Sequence, residues 1–355
     1  MRVKLKDITK FSKGTQINGK NLIDDGAYSY LNGGINPSGK WNEFNVAENT
    51  VTISEGGNSS GYVNYMSKAF WCGAHCYYLY DGPKNSKYLY YALKSQQERL
   101  FRIRSGACMP NIKKSDLGNF IIEYEEDETR QEEVVKVLEK CELLIEDYNK
   151  KLALLDEAVR ARFVEMFGDP NYNPKGYKKD IIKDHIDLLS GYPFKSENYV
   201  DSGINICGGL VIMPQKIKWE ECVHWKSAIG YENYLLNNND IVMALDRPWI
   251  SEGFKIAKVD SKHLPALLIQ RTVRIRAIDM NQDYLYYCFI CGGFNKHCNV
   301  TGSLVPHISS KDIKSFEVML PPLELQNQFA SFVQEIDKSR LLSNHSLFLI
   351  KSIIF

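Results

Sequence analysis

Residues 106–117 read GACMPNIKKSDL, and residues 302–313 read GSLVPHISSKDI. Laid side by side without a gap, the two share a glycine (Gly106, Gly302), a proline (Pro110, Pro306), an isoleucine (Ile112, Ile308) and an aspartate (Asp116, Asp312). Leu117 faces Ile313, and Phe120 faces Phe316 just beyond. The phrase has no helical or strand period, so hydrophobic patterning alone does not account for its return. Self-similarity at a fixed spacing is the mark of a duplicated structural unit, and it decides the architecture before any local assignment.

Working outward, KDITKFSKG (6–14) matches KDHIDLLSG (183–191) at a shift of 177, and DGAYSYLNGGI (25–35) resembles SGINICGGL (202–210). At the opening phrase the shift is 196, so the second copy holds about twenty extra residues in its middle. Beyond the first phrase, Val134, Leu138, Cys141, Ile145, Tyr148, Leu152, Leu155 and Val159 step by four and three, a heptad seam flanked by Glu139, Lys140, Glu142, Glu146, Lys150 and Lys151. This predicts a helix over 130–167 that stops at Gly168-Asp169-Pro170 and is about 50 Å long. Shifted by 195, the seam reads Phe329, Val333, Ile336, Arg340, Ser343, Leu347, Ile350 and Ile354, a second helix after Pro321-Pro322 with a polar middle.

The expected fold is α+β. Two similar mixed α/β recognition domains, 1–127 and 169–320, are joined by two long antiparallel coiled-coil helices, 128–168 and 321–355, in a pseudo-two-fold internal repeat. Strands are expected at TVTIS (50–54), CYYLY (76–80), NFIIEY (119–124), NDIVMAL (239–245), TVRIRAI (272–278) and FEVML (316–320). YLYYALKSQQERLF (88–101) and YLYYCFICGGF (284–294) read as matched helices. Two heads on a rod suit a ligand with two similar sites at fixed spacing. Duplex DNA is such a ligand, and a 50 Å rod corresponds to roughly fifteen base pairs.

Bulk properties agree with a soluble two-domain protein. The chain has 355 residues, 44% of them hydrophobic and 25% charged, and a formal net charge of +1. No apolar run of spanning length occurs, and MRVKLKDITKF is too polar for a signal peptide, so a cytoplasmic protein with no membrane partner is expected. Nine cysteines are then read as reduced thiols. Charge is uneven: 123–133 is acidic, whereas 1–20 and 94–114 are basic, so a local basic face is compatible with a neutral total.

The chain resembles the specificity subunit of type I restriction–modification systems. The repeated phrase carries the resemblance, with PPLELQNQF (321–329), LLDEAVRARFVEMFGD (154–169) and LKDI (5–8). It extends over essentially the whole chain. It implies two target-recognition domains separated by helical regions, and a non-catalytic, DNA-binding role without a cofactor. It also implies double-stranded DNA, two methyltransferase subunits and restriction subunits as partners, with adenine methylation and cleavage done by those subunits. Two departures are visible: EEDETRQEE replaces a proline-rich lead to the central helix, and the second helix lacks the Phe-Gly-Asp ending.

Candidate DNA-reading residues follow from side-chain chemistry rather than from the resemblance. In head one the Gly-, Asn- and Ser-rich loops offer Lys13, Thr15, Gln16 and Asn18; Asn32, Asn36, Ser38 and Lys40; and Asn58, Ser59, Ser60 and Tyr62. Such groups donate to and accept from base edges. Arg102, Arg104 and Lys113 suit phosphates. Head two offers Tyr192, Lys195, Arg247, Trp249, Gln270, Arg271, Lys296 and His297. The bland alternatives are surface turns, and for Trp249 a packed ring. Gly14 and Gly191, at matched places, are read as turn formers.

Cys288 and Cys291 with His297 and Cys298, and Cys72 with His75 and Cys76, have zinc-like spacing but no closed set of four ligands, and are read as buried thiols. EGGNSSG lacks the Lys-Ser/Thr ending of a phosphate loop, and no nucleophile elbow is found. The leading expectation is a reader of a bipartite, asymmetric DNA target, one half-site per head. The rivals are an adaptor with two protein-binding heads and an enzyme with a site between the heads.

Overall fold

The computed structural model describes residues 1–106, 108–302 and 306–354; Ala107, three residues of the second phrase (303–305), the seam side chain of Ile354, and Phe355 lie outside the described residues. The chain forms two compact units, Met1–Lys150 with Ser343–Phe355, and Lys151–Leu342.

In the first unit, four antiparallel strands lie in the order Lys10–Lys13, Cys76–Tyr80, Thr50–Ser54, Val63–Met66. A three-stranded sheet has Tyr28–Leu31 at its centre, antiparallel to Gly39–Trp41 and parallel to Phe70–Cys72. Arg2–Lys4 pairs with Ile121–Glu123 and clasps the two ends of the head together. Thr50–Ser54 is central and buried on both faces, as its β-branched run requires. Its Val51 and Ile53 share one core cluster with Leu89, Leu93, Leu100 and Leu117.

The second unit repeats this plan. Its four strands run in the order Ile186–Ser190, Thr272–Ala277, Ile241–Ala244, Ile256–Lys258. Its three-stranded sheet centres on Ile204–Cys207, again antiparallel to one neighbour (His224–Trp225) and parallel to the other (Ala266–Leu268). Lys179–Ile181 with Glu317–Met319 is the matching clasp. Most of the extra length falls between the strands: residues 208–240 stand where head one has 32–49, and they add the hairpin of Ile212–Met213 and Lys216–Ile217.

Every expected strand forms: 50–54 and 76–80 over their full length, and the other four shortened at their ends. The two aromatic helices also form but are interrupted. Ser86–Lys94 and Gln97–Arg102 are separate helices, as are Gln282–Cys291 and Phe294–His297. Gly293, at φ +75°, makes the second break, since a left-handed residue cannot continue a right-handed helix.

The central helix spans Glu128–Phe167 and the second long helix Leu323–Ile354. The Asp127 carboxylate accepts from the Thr129 N–H at 2.9 Å and caps the first. Gly168, at φ +82°, ends it by donating its N–H to the Val164 carbonyl at 2.7 Å. The unlike leads to the two helices hide one shared device. Buried Gln131 donates to the Glu125 carbonyl at 2.6 Å, and buried Gln326, 195 residues on, donates to the Pro321 carbonyl at 2.8 Å.

The seam is confirmed from Leu138 to Val159, all buried or half-buried. Its first member is corrected. Val134 is 41% exposed, and Val135 takes the inward place, because the first turn is set by buried Gln131 four residues earlier. On the second helix Phe329, Val333, Ser343 and Leu347 are buried and Ile336, Arg340 and Ile350 half-buried, as the shifted seam requires. Within the second unit the helices run antiparallel: Phe163 meets Phe329 at 5.5 Å between ring centroids, Arg162 lies over Phe332, and Asp156 pairs with Arg340 at 2.5 Å.

Each head is tied to its helix through three matched places. In the first unit they hold Tyr65, Lys87 and Glu142: Lys87 pairs with Glu142 at 3.4 Å and lies 4.6 Å from the Tyr65 ring centroid. In the second they hold Lys258, Asp283 and Asp337, with Lys258 2.7 Å from Asp283 and 3.3 Å from Asp337. The helix presents a carboxylate in both; the cation sits on the head's helix in one and on its strand in the other.

Candidate nucleic-acid interface

The repeated phrase builds a closed loop in each head. Ser105 and Asn111 exchange N–H and carbonyl bonds at 2.8 Å, and Thr301 and His307 do the same at 2.8 and 3.0 Å. The loop needs a left-handed residue, which Gly106 (φ +98°) and Gly302 (φ +90°) supply. Ile112 and Ile308 are buried and anchor the loop in the core. The Ile112 N–H donates to the Glu55 carbonyl at 2.9 Å, and the Ile308 N–H to the Leu245 carbonyl at 3.0 Å. The proline carbonyls accept from a second loop, Pro110 from the Gly57 N–H at 2.9 Å and Pro306 from the Arg247 N–H at 2.7 Å. The phrase is therefore a backbone clamp, and each head uses one copy of it to hold a tip of different sequence. The shared aspartate differs in use: Asp312 forms a capping box with Ser309, whereas the Asp116 carboxylate accepts from the Ser115 hydroxyl at 3.4 Å.

In head one this clamp brings three of the candidate loops together. The Ser59 hydroxyl donates to the Gly33 carbonyl at 2.6 Å, and Arg104 Nη1 donates to the Asn58 carbonyl at 3.3 Å. Lys13 pairs with Glu55, and His75 lies 3.6 Å from the same carboxylate. Lys13, Thr15, Gln16, Asn18, Asn36, Ser38, Lys40, Asn58, Arg102 and Lys113 are exposed. Asn32 is half-buried and accepts from the His75 N–H at 3.4 Å.

Several candidates have side chains engaged within the protein. Ser60 is fully buried, and its hydroxyl donates to the Glu55 carbonyl at 2.7 Å, so it shapes the loop from inside. Tyr62 is half-buried with the Lys94 ammonium 3.6 Å from its ring centroid. In head two Trp249 stacks on Phe254 (5.0 Å between centroids, 16° between planes), and Tyr192 packs in a cluster with Phe194, Tyr231 and Tyr234. Packing holds both rings. His297 uses its ring on the Asp312 carbonyl and the Ser315 hydroxyl, at 3.1 and 3.0 Å, and so braces the clamp with Lys296 exposed beside it.

The second tip gathers Arg247, Gln270 and Arg271, all exposed. The Leu245 N–H donates to the Arg271 carbonyl at 2.9 Å, and the Gln270 N–H to the Tyr192 carbonyl at 2.8 Å. Arg271 also pairs with Asp246 at 3.7 Å. Lys195 stands apart, 3.9 Å from Glu197. Burial, and then the charge of Arg247, hold the Lys255 ammonium below its ordinary pKa. The sequence reading missed Asp246 and Glu55, the carboxylates within the two tips. Setting EGGN (55–58) on LDRP (245–248), the register the clamp imposes, brings them out.

Gly14 and Gly191 are also reassigned. Neither has a left-handed φ; a Cβ on Gly14 would collide with the Cys72 carbonyl and one on Gly191 with the Ile269 carbonyl. They permit close backbone approach at equivalent places. Cys72 and Cys76 are buried, with the Cys72 thiol on the Cys76 carbonyl at 3.4 Å, and burial pushes the Cys291 thiol up to about 11. Among the described residues no His, Cys, Asp or Glu group of three or more is placed to hold a metal ion, and no helix is long and apolar enough to cross a membrane.

Residues 1–156 and 179–350 match the family described as the type I restriction modification DNA specificity domain. The chain belongs to that family. A putative type I specificity subunit of Mycoplasma pneumoniae is 37% identical over 149 residues, covering 41% of this chain and 40% of the relative. The type I restriction enzyme MjaVIII specificity subunit of Methanocaldococcus jannaschii is 26% identical over 268 residues, covering 70% and 63%. The matches thus span under two thirds of these relatives' own lengths. The crystal structure of a type I restriction–modification S subunit from M. genitalium superposes with a TM-score of 0.60 at 19% identity, covering all of this chain and 93% of that one, which shows a shared fold. Two family matches in one chain fit the duplicated heads, and the α+β repeat with long antiparallel helices is the specificity-subunit architecture.

Proposed function

We propose that this specificity-family chain is the DNA-reading subunit of a type I restriction–modification complex. Residues 1–127 read one half of a bipartite, asymmetric target and residues 169–320 the other. The observation that carries this is the pair of clamped tips: one backbone frame, used twice, displays different side chains, Gly56-Gly57-Asn58 in one head and Asp246-Arg247-Pro248 in the other. A shared frame with unlike tips suits two related but different half-sites.

In head one, Lys13, Thr15, Gln16, Asn18, Asn36, Ser38, Lys40 and Asn58 face base edges, and Arg102 and Lys113 take phosphates. In head two, Arg247, Gln270 and Arg271 do the reading, and Lys195 and Lys296 approach the backbone. The chain supplies no chemistry. Two methyltransferase subunits modify adenines and restriction subunits cleave, all in the cytoplasm, and these partners add to the phosphate grip of a nearly neutral reader.

The test is affinity for cognate and random duplex across a salt series, with the assembled complex, beside methylome sequencing with and without the gene. The expected result is a split adenine-methylated motif that vanishes on deletion, with cognate binding tighter than random at every salt concentration. Equal affinity for both duplexes, or a motif that persists after deletion, refutes the proposal.

A further inference from the structure

Head two carries an arginine where head one carries a left-handed glycine. The clamp fixes the register, since Gly57 and Arg247 each donate a backbone N–H to the proline carbonyl of the repeated phrase. The backbone is left-handed at both, with φ +78° at Gly57 and +46° at Arg247. That region is open to glycine and unfavourable for a residue with a Cβ. Strained residues of this kind collect at binding sites, where the surrounding structure imposes them.

Packing gives no reason for the arginine. Arg247 is exposed, and among the described residues no carboxylate or carbonyl accepts from its guanidinium. The adjacent carboxylate, Asp246, already has Arg271 at 3.7 Å. The backbone is held on both sides: the Arg247 N–H is bound to Pro306, and the next carbonyl, of Pro248, accepts from the Lys255 N–H at 2.7 Å. A rigid loop therefore offers an uncommitted fork of N–H donors.

We propose that Arg247 is the residue with which head two reads a guanine in the major groove. The O6 and N7 acceptors of guanine match the guanidinium fork, and adenine, cytosine and thymine present no such pair there. The inference rests on the reading role proposed above. Head one, with Gly57 at this place, makes no matching demand on its half-site.

The test is selection from a random-sequence duplex pool by the full chain assembled with its methyltransferase subunits, wild type beside Arg247→Gly. Glycine suits the left-handed backbone, so the variant keeps or gains thermal stability, and a change in reading is not a change in folding. The wild type is expected to enrich a split motif with a guanine in one half. Arg247→Gly is expected to lose the preference at that one base pair, keep every other, and bind the cognate duplex between about five- and a hundredfold more weakly. An unchanged motif overturns the assignment. An equal fall for cognate and random duplex makes Arg247 a phosphate contact and also overturns it. If the wild type enriches no motif, the reading role itself fails, and the assignment with it.

Discussion

Arg340 on the second long helix meets Asp156 on the central helix at 2.5 Å, and the same guanidinium holds Asp337 at 2.6 Å. It occupies a seam place that Val333 and Leu347 fill with apolar side chains. Replacing Arg340 with methionine leaves Asp156 without its cation and Asp337 with Lys258 alone, and about 1–2 kcal/mol of stability is expected to be lost. Arg340→Leu combined with Asp156→Leu is expected to recover most of it, since apolar pairs substitute well for such ion pairs. Thermal unfolding of the three proteins decides this.

Lys258 lies between Asp283 and Asp337. Burial works against its charge, but the two carboxylates outweigh burial, and its pKa is raised. A lysine raised in the folded state contributes stability that is complete below its unfolded pKa of about 10.4 and is lost as pH climbs through the folded value. The stability difference between wild type and Lys258→Met is expected to stay flat through neutral pH and to shrink only above about pH 10. A pH series of denaturant midpoints measures it.

Lys94 has the opposite sign. Burial lowers its pKa to about 8, although its ammonium donates to the Val63 carbonyl at 3.1 Å. Between pH 8 and about 10.4 the unfolded chain binds the extra proton, so this residue makes stability rise with pH there. The rise is on the order of 3 kcal/mol and is expected to disappear in Lys94→Met. Subtracting the two pH curves removes the tyrosines, whose titration overlaps the same range.

Gly14→Ala and Gly191→Ala are expected to cost about the same, roughly 2–3 kcal/mol each, because both methyl groups would meet a backbone carbonyl, of Cys72 and of Ile269. Unequal costs would argue against equivalent roles.

Ser60 and Asn58 separate shaping from reading. Ser60→Ala removes a buried hydrogen bond and is expected to lower stability by about 1 kcal/mol with little change in cognate affinity, read as thermal midpoint and duplex binding. Asn58→Ala is expected to do the reverse, because its side chain is exposed.

The duplication, the two long helices and most strands were legible because each rests on a pattern the chain writes plainly: a repeated phrase, a heptad seam, β-branched runs. Val134 was misplaced because two adjacent valines satisfy the same period, and only the packing of Gln131 tells them apart. The tips were legible as loops but not as sites. Ser60 and Asn58 are both small polar residues in one Gly-rich run, and the sequence has no period there to say which points inward. Trp249 and Tyr192 carry the chemistry of readers, yet aromatic neighbours claim them: Phe254 across a short hairpin for Trp249, and Phe194, Tyr231 and Tyr234 for Tyr192. The left-handed Arg247 was visible as an arginine, and its strain only through the clamp.

Glu142 and Asp337 occupy the same place on the two helices, and in each case the positive partner travels with the head, as Lys87 or as Lys258. The joint is thus complementary to either module. A genetic exchange that moved a whole module from one stalk to the other would import its counter-ion along with its tip, and new combinations of tips would arise without repair at the seam.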